Sequence, residues 1–260
     1  MARLDEAQIS KAILEAYHEK LVDRIVSDVL IVGAGASGLA AAIYLTMRNL
    51  KVAVLEKRLS PGGGIWGGAM GMNEIVVRGD ALSILAEIRV RSRKVRTGVY
   101  SVDAMELASA LCLKAVQSGA VLLNLMTVED VCVHEGRVCG VVANRTMIHE
   151  SLPVDPVTFM GKAVVDATGH EAAVVKSLQR RGLLRGARGA SVTGEGPLDA
   201  EAGEKFVVER VTEVYPGLWV TGMSVCATFA GPRMGPIFGG MLLSGKQVAD
   251  RIATALKGSP

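Results

Sequence analysis

The residues in this chain whose types and spacing could do chemistry begin with Gly33-Ala34-Gly35-Ala36-Ser37-Gly38, the pattern GxGxxG. Set between a strand and a helix, such a turn can hold a pyrophosphate. Gly33 lets the chain leave the strand sharply, Gly35 removes the side chain that would block the phosphates, and Gly38 lets the helix lie close to the sheet. The helix N-terminus adds unpaired N–H groups and the positive end of its dipole. Glu56 follows Gly38 by 18 residues, close to the ~20 at which an acid takes the ribose hydroxyls. Two further side chains stand beside glycines. His170 ends Asp166-Ala167-Thr168-Gly169-His170, and Arg233 lies within Gly231-Pro232-Arg233-Met234-Gly235. An imidazole can move a proton or hold a metal, although a lone histidine is more often structural. A guanidinium with glycines on both sides reads as a fork for a carboxylate or phosphate rather than as a surface contact.

These side chains need elements to position them. Residues 29–32 are a short aliphatic run before the turn, 39–47 have helical composition, and 52–55 form a second apolar strand closed by Glu56. Strand, glycine turn, helix and strand, with the acid in place, are a far stronger signal than the glycines alone. The uncharged run 29–47 is nineteen residues long, enough for a membrane span. Three glycines in its first half, Asp28 before it and a strand soon after it argue against insertion. Six glycines within residues 62–71, beside Trp66, Met70 and Met72, read as a structured loop whose backbone approaches a ligand. Residues 161–170 read as a strand ending in Thr168-Gly169-His170, and ligands of open α/β sheets sit at such carboxyl ends.

Elsewhere the periodicity predicts a helix over residues 4–25, with Ile9, Ile13, Leu14, Tyr17, Leu21 and Ile25 at helical spacing, packed on the nucleotide unit or on another subunit. A short helix is expected over 81–88 with a strand after it, and a longer helix over 101–119, with Ser101 at its start and Glu106 in an early turn. Residues 120–125 and 127–133 read as strands, and Glu135-Gly136 makes a hairpin to 137–144. Helices are expected over 172–182 and 241–256, a strand over 218–225, and a glycine-rich connection over 186–203. Pro153 and Pro156 bracket Asp155, biasing Leu152 and Asp155 toward extended backbone. The chain thus reads as one nucleotide-binding α/β domain, residues 1–260, with an N-terminal helix (about 4–25) and a small antiparallel β insertion (about 120–144).

Half of the 260 residues are hydrophobic, only 4% are aromatic and 30 are glycine, which suits an α/β protein with a substantial core. The net charge is +3, and Arg89, Arg91, Arg93, Lys94 and Arg96 form the dense basic run. Without interleaved aromatics it does not resemble a nucleic-acid surface. Cys112, Cys132, Cys139 and Cys226 show no CxxC and no metal-ligand spacing, so they read as buried thiols of a reducing compartment. Neither a signal peptide nor a convincing span is evident, and the expected location is cytoplasmic, with no nucleic-acid or membrane partner.

Five motifs in order resemble the thiamine thiazole synthase family, especially its archaeal and bacterial short members. They are the fingerprint at 33–38, the loop 61–72 with GGGIWGG, VDP at 154–156, DATGH at 166–170 and GPRMGPIFGGMLLSGK at 231–246. The likeness covers nearly the whole chain. It implies a glutathione-reductase-type, Rossmann-like nucleotide-binding fold with a central, mainly parallel sheet, using NAD as a substrate rather than as a hydride carrier. Family members remove nicotinamide, join the ADP-ribose to glycine and add sulfur, giving an adenylated thiazole carboxylate for thiamine, and many assemble as octamers. By this resemblance Ser37, Glu56, Lys57 and Gly64 match dinucleotide contacts, together with Gly33, Gly35 and Gly38, and with Val128 and Met223. Asp155 and His170 match iron(II) ligands donated across a subunit interface, and Arg233 matches the clamp on the glycine carboxylate. One carboxylate and one imidazole leave positions open on iron(II), and the planar fork of arginine suits a carboxylate.

The chain departs from the family pattern at Pro153. Fungal and plant members place a sacrificial cysteine there, two residues before the metal aspartate, and archaeal members commonly a histidine. Proline has no thiol, so the resemblance implies free sulfide as the sulfur donor; His149, four residues earlier, could compensate for the missing histidine. Other readings remain open. One is isomerisation of ribose 1,5-bisphosphate to ribulose 1,5-bisphosphate, assigned to some archaeal relatives, with the basic run holding a phosphate. Another is a flavin-dependent oxidoreductase on the same fold. A third, a nucleotide-binding protein without activity, is opposed by the presence of Asp155, His170 and Arg233.

Overall fold

The computed structural model describes residues 5–68, 70–148, 154–184 and 192–258. Asp5 caps helix α1 (Glu6–Arg24) by accepting from the Ala7 amide at 2.9 Å. Strand β1 (Val26–Val32) runs into the glycine turn and α2 (Ala36–Thr46), and β2 (Val52–Glu56) follows. Next come β3 (Glu74–Arg78), α3 (Leu82–Glu87), β4 (Arg93–Arg96), β5 (Val99–Asp103), α4 (Ala104–Gln117) and β6 (Val121–Asn124). A long ribbon, β7 (Met126–His134) and β8 (Arg137–Arg145), precedes β9 (Val157–Asp166) and α5 (Ala173–Arg180). The last part holds β10 (Gly196–Leu198), α6 (Ala200–Glu209), β11 (Thr212–Tyr215), β12 (Leu218–Val220), α7 (Met223–Phe229), β13 (Pro232–Arg233) and α8 (Gly239–Lys257).

The main sheet has the order β11-β12-β9-β1-β2-β6. β1 pairs in parallel with both β2 and β9, β2 with β6, and β9 with β12; β11 is antiparallel at the edge. The β7–β8 ribbon joins through β8, antiparallel to β9. This is the expected nucleotide-binding architecture, a mainly parallel sheet with an antiparallel addition. Every residue of α2 is buried, so the uncharged run is the sheet-and-helix core up to Thr46, with Met47 exposed at the helix end, and buried parallel strands read as continuous apolar runs. Among the described residues no helix is long and apolar enough to cross a membrane. Helix α8 lies against α2 through Gly245, where a Cβ would stand 2.3 Å from the Ser37 carbonyl oxygen.

Four expectations shift. Residues 121–124 belong to the parallel sheet beside β2, and the antiparallel addition is the ribbon β7–β8 alone. The helix expected from Ser101 starts at Ala104, because the Asp103 side chain accepts from the Glu106 amide at 2.8 Å while Ser101 pairs with Val76 in the sheet β3-β5-β4. The strand expected over 218–225 stops at Val220, where Thr221 and Gly222, the latter at φ 63°, turn the chain into α7. The connection expected over 186–203 contains β10 and the start of α6, capped by Asp199, which accepts from Ala202 at 3.0 Å. As an N-terminal helix α1 is where it was expected: Tyr17 and Leu21 are partly buried against the core, while Ile13 and Leu14 stay 64% and 69% exposed.

Candidate functional site

The carboxyl ends of β1, β2 and β9 open onto a cavity of about 850 Å³. Its glycines divide the work as their spacing predicts. Gly33 takes φ +100°, and a Cβ on it would lie 2.5 Å from the Ala167 carbonyl oxygen; a Cβ on Gly38 would lie 2.1 Å from that of Gly33. Both are close backbone approaches that no other residue permits. A Cβ on Gly35 would meet nothing within 4 Å, so this glycine keeps open the space in front of the α2 N-terminus. Glu56 is buried; its Oε2 accepts from the Ala34 amide and its Oε1 from the Arg58 amide, each at 2.8 Å. A carboxylate offers about four lone-pair sites, so both oxygens can still accept from ribose hydroxyls. The loop after Glu56 is ordered against the same turn: the Gly62 amide donates to Ala34 at 2.7 Å, residues Gly63–Gly67 form one 3₁₀ turn, and Trp66 Nε1 donates to the Pro61 carbonyl at 2.6 Å.

The other end is built on Asp166, the last residue of β9, which is fully buried. Its Oδ1 accepts from the Thr168 amide, the Thr168 hydroxyl and the Ser224 hydroxyl at 3.0, 2.7 and 3.0 Å. Its Oδ2 accepts from Val174 and Val175 at 3.0 Å each, satisfying the first turn of α5. A buried charge needs this many donors. From that base His170 projects outward with 65% of its side chain exposed, and its Nδ1 meets Glu195 Oε1. Glu195 Oε2 faces Arg233 Nε at 3.4 Å; the Glu195 side chain is 8% exposed and that of Arg233 62%. Beside them Lys57 Nζ donates to both oxygens of Glu171, at 2.6 and 2.8 Å.

The cavity lining brings together Gly33, Gly35, Ser37, Glu56, Lys57, Gly64, Val128, Met223, His170 and Arg233. Gly38 packs behind it. Asp155 is exposed on the segment before β9 and does not line the cavity. Pro153 and His149 lie outside the described residues. Among those described, no three His, Cys, Asp or Glu side chains are grouped to hold a metal ion. The basic run is elsewhere: β4 is exposed throughout, and none of Arg89, Arg91, Arg93, Lys94 and Arg96 lines the cavity. Nor does any of the four cysteines line it. Burial, with the Glu56 charge behind it, pushes the Cys112 thiol up to about 11, and burial together with the Glu195 charge pushes Cys226 up to about 12, so neither is a ready thiolate.

Glu171 and Glu195 went unmarked by sequence reasoning. Glu171 directly follows His170, a position next to a candidate ligand that could have drawn notice. Glu195 carries no local signal, because what brings it to Arg233 is pairing between β10 and β13, with Gly196 opposite Pro232 and Leu198 opposite Arg233.

Comparison with known proteins adds an independent line. The model of the Thi4 family matches residues 10–238. A thiamine thiazole synthase of Thermococcus kodakarensis is 49% identical over 252 residues, 96% of this chain and 98% of that protein. One of Thermotoga maritima is 47% identical over 250 residues, 96% of this chain and 97% of that protein. The crystal structure of Thermovibrio ammonificans THI4 superposes with a TM-score of 0.93 at 46% identity, covering 98% of this chain and 100% of that one.

Proposed function

The chain belongs to the Thi4 family, and from that premise we propose that it is a thiamine thiazole synthase making an adenylated thiazole carboxylate from NAD, glycine and free sulfide with iron(II). The observation that carries this reading is one cavity with two unlike ends, the glycine turn and Glu56 at one and His170 and Arg233 at the other. The amides at the α2 N-terminus bind the pyrophosphate, Glu56 takes ribose hydroxyls, and the terminal nitrogens of Arg233 hold the glycine carboxylate bidentately. Lys57, tied to Glu171 at the rim, places a cation beside the phosphates.

A metal fits the residues if two copies of the chain meet. His170 offers an exposed imidazole at the cavity and Asp155 an exposed carboxylate away from it, so His170 of one subunit and Asp155 of another would hold iron(II) in a homo-oligomer such as an octamer. Bound there, iron(II) supplies a Lewis-acidic centre with positions open to substrate and sulfide. Free sulfide is favoured as donor because Pro153 has no thiol and none of the chain's cysteines lines the cavity. Against the isomerase reading stands the position of the basic run that would hold a phosphate, which lies away from the cavity.

The test is mass spectrometry of small molecules released by denaturing the purified protein, followed by anaerobic incubation with NAD, glycine, sulfide and iron(II). An adenylated thiazole, lost when any one component is omitted, is the expected result. Bound flavin, or turnover of a pentose bisphosphate without NAD or iron, would overturn the proposal.

A further inference from the structure

Glu195 sits where two functional side chains meet, and the backbone is arranged to put it there. Gly194 takes φ +94°, turning the chain just before it. Just after it, the Gly196 amide donates to the Gly231 carbonyl at 2.8 Å and the Asp199 amide to the Arg233 carbonyl at 3.1 Å, so the β10 segment is laced to the chain two residues before Arg233 and at Arg233 itself. The burial is unequal: the Glu195 side chain is 8% exposed, against 65% for His170 and 62% for Arg233. Exposed imidazole and guanidinium groups are free to sample several rotamers, and holding them in one geometry needs a fixed partner. Glu195 is that partner for both, through Oε1 to His170 Nδ1 and Oε2 to Arg233 Nε.

We infer that Glu195 is a positioning residue that orients the His170 imidazole and the Arg233 guanidinium together. With Nδ1 engaged by the carboxylate, Nε2 is the nitrogen left to ligate a metal, the arrangement in which an outer carboxylate fixes the tautomer of a metal-bound histidine. With Nε engaged, Arg233 presents its two terminal nitrogens to a substrate carboxylate. One buried anion thereby fixes the spacing between the metal-binding group and the clamp. This deepens the thiazole-synthase reading and rests on it for the identity of the metal and of the carboxylate.

The test uses the full-length protein and Glu195→Gln, which keeps the shape and a hydrogen-bonding oxygen but removes the charge, with Glu195→Ala as a second variant. Iron(II) affinity is measured by equilibrium dialysis, and the histidine nitrogens are read by solid-state ¹⁵N spectroscopy of histidine-labelled protein, the His170 signals being assigned from His170→Gln. The expected result is an iron(II) affinity about 10–100-fold weaker in both variants, a raised KM for glycine, and altered tautomer signals for His170, with NAD binding unchanged. Unchanged iron affinity together with unchanged His170 signals would overturn the inference. Should the wild type bind no iron(II) while Glu195→Gln still changes the His170 signals, the positioning role stands and the metal in the proposed function falls.

Discussion

The two ends of the cavity are built on opposite plans. The nucleotide end is made of backbone and buried groups: Gly33 and Gly38 in close contact, Glu56 held by two amides, and the loop at Gly62 tied to Ala34. The reactive end is made of exposed side chains, His170 and Arg233, joined by the single buried carboxylate of Glu195. On the proposed reading, the difference means that one chain supplies the whole nucleotide end, whereas the reactive end waits for what arrives from outside: metal, small substrate and a second copy carrying Asp155.

Substitutions can break that contrast or sharpen it. The largest effect is expected for His170→Ala and Asp155→Ala, which should reduce iron-dependent turnover to background while leaving NAD binding largely intact. Full activity in either variant would remove that residue from the reactive end. Glu56→Gln should act the other way. It removes a charged acceptor from the ribose hydroxyls, which costs about 1.5–3 kcal/mol, or roughly 10–100-fold in NAD affinity by titration calorimetry, with iron(II) binding unaltered. Arg233→Lys replaces a fork by a point charge; about a tenfold rise in the KM for glycine is expected, with no change in NAD affinity.

The smallest effect belongs to the scaffold behind the reactive end. Glu204 is buried beneath the start of α8, its Oε1 accepting from the Gly240 amide at 2.7 Å. Desolvation raises it from 4.5 to about 7, against the lowering effect of that hydrogen bond. A folded-state value above the unfolded one means that this group's stabilisation is full below about pH 4.5 and is lost as pH rises through about 7. Glu204→Gln should flatten that slope, gaining about 1–2 kcal/mol at pH 8 in urea unfolding and little at pH 5, without touching either ligand. A parallel slope in the variant would show that another group is responsible.

How much of this was legible in the sequence follows the same division. The nucleotide end was readable because its parts are near one another in the chain: the turn, the helix and Glu56 all fall within residues 28–57, and each job is fixed by a residue type and a spacing. His170 and Arg233 were recognisable by their glycine neighbours. Glu195 was not, because its meaning depends on two two-to-three-residue strands that find each other across the fold. Likewise 223–229 is as apolar as a strand, and only the turn at Gly222 makes it a helix; Ser101 and Asp103 are both cap-forming residues, and strand pairing with β3 decides between them.

Asp166 has a further consequence for motion. Five donors converge on its carboxylate and tie β9, the start of α5 and α7 into one unit. Opening any of the amides at Thr168, Val174 or Val175 to solvent means uncovering a buried charge, so they should be among the slowest in the chain to exchange with deuterated water. His170 is four residues away in sequence and exposed. The peptide that carries it therefore rides on an immobile mount, so the only freedom left for Glu195 to remove is rotation of the His170 side chain itself.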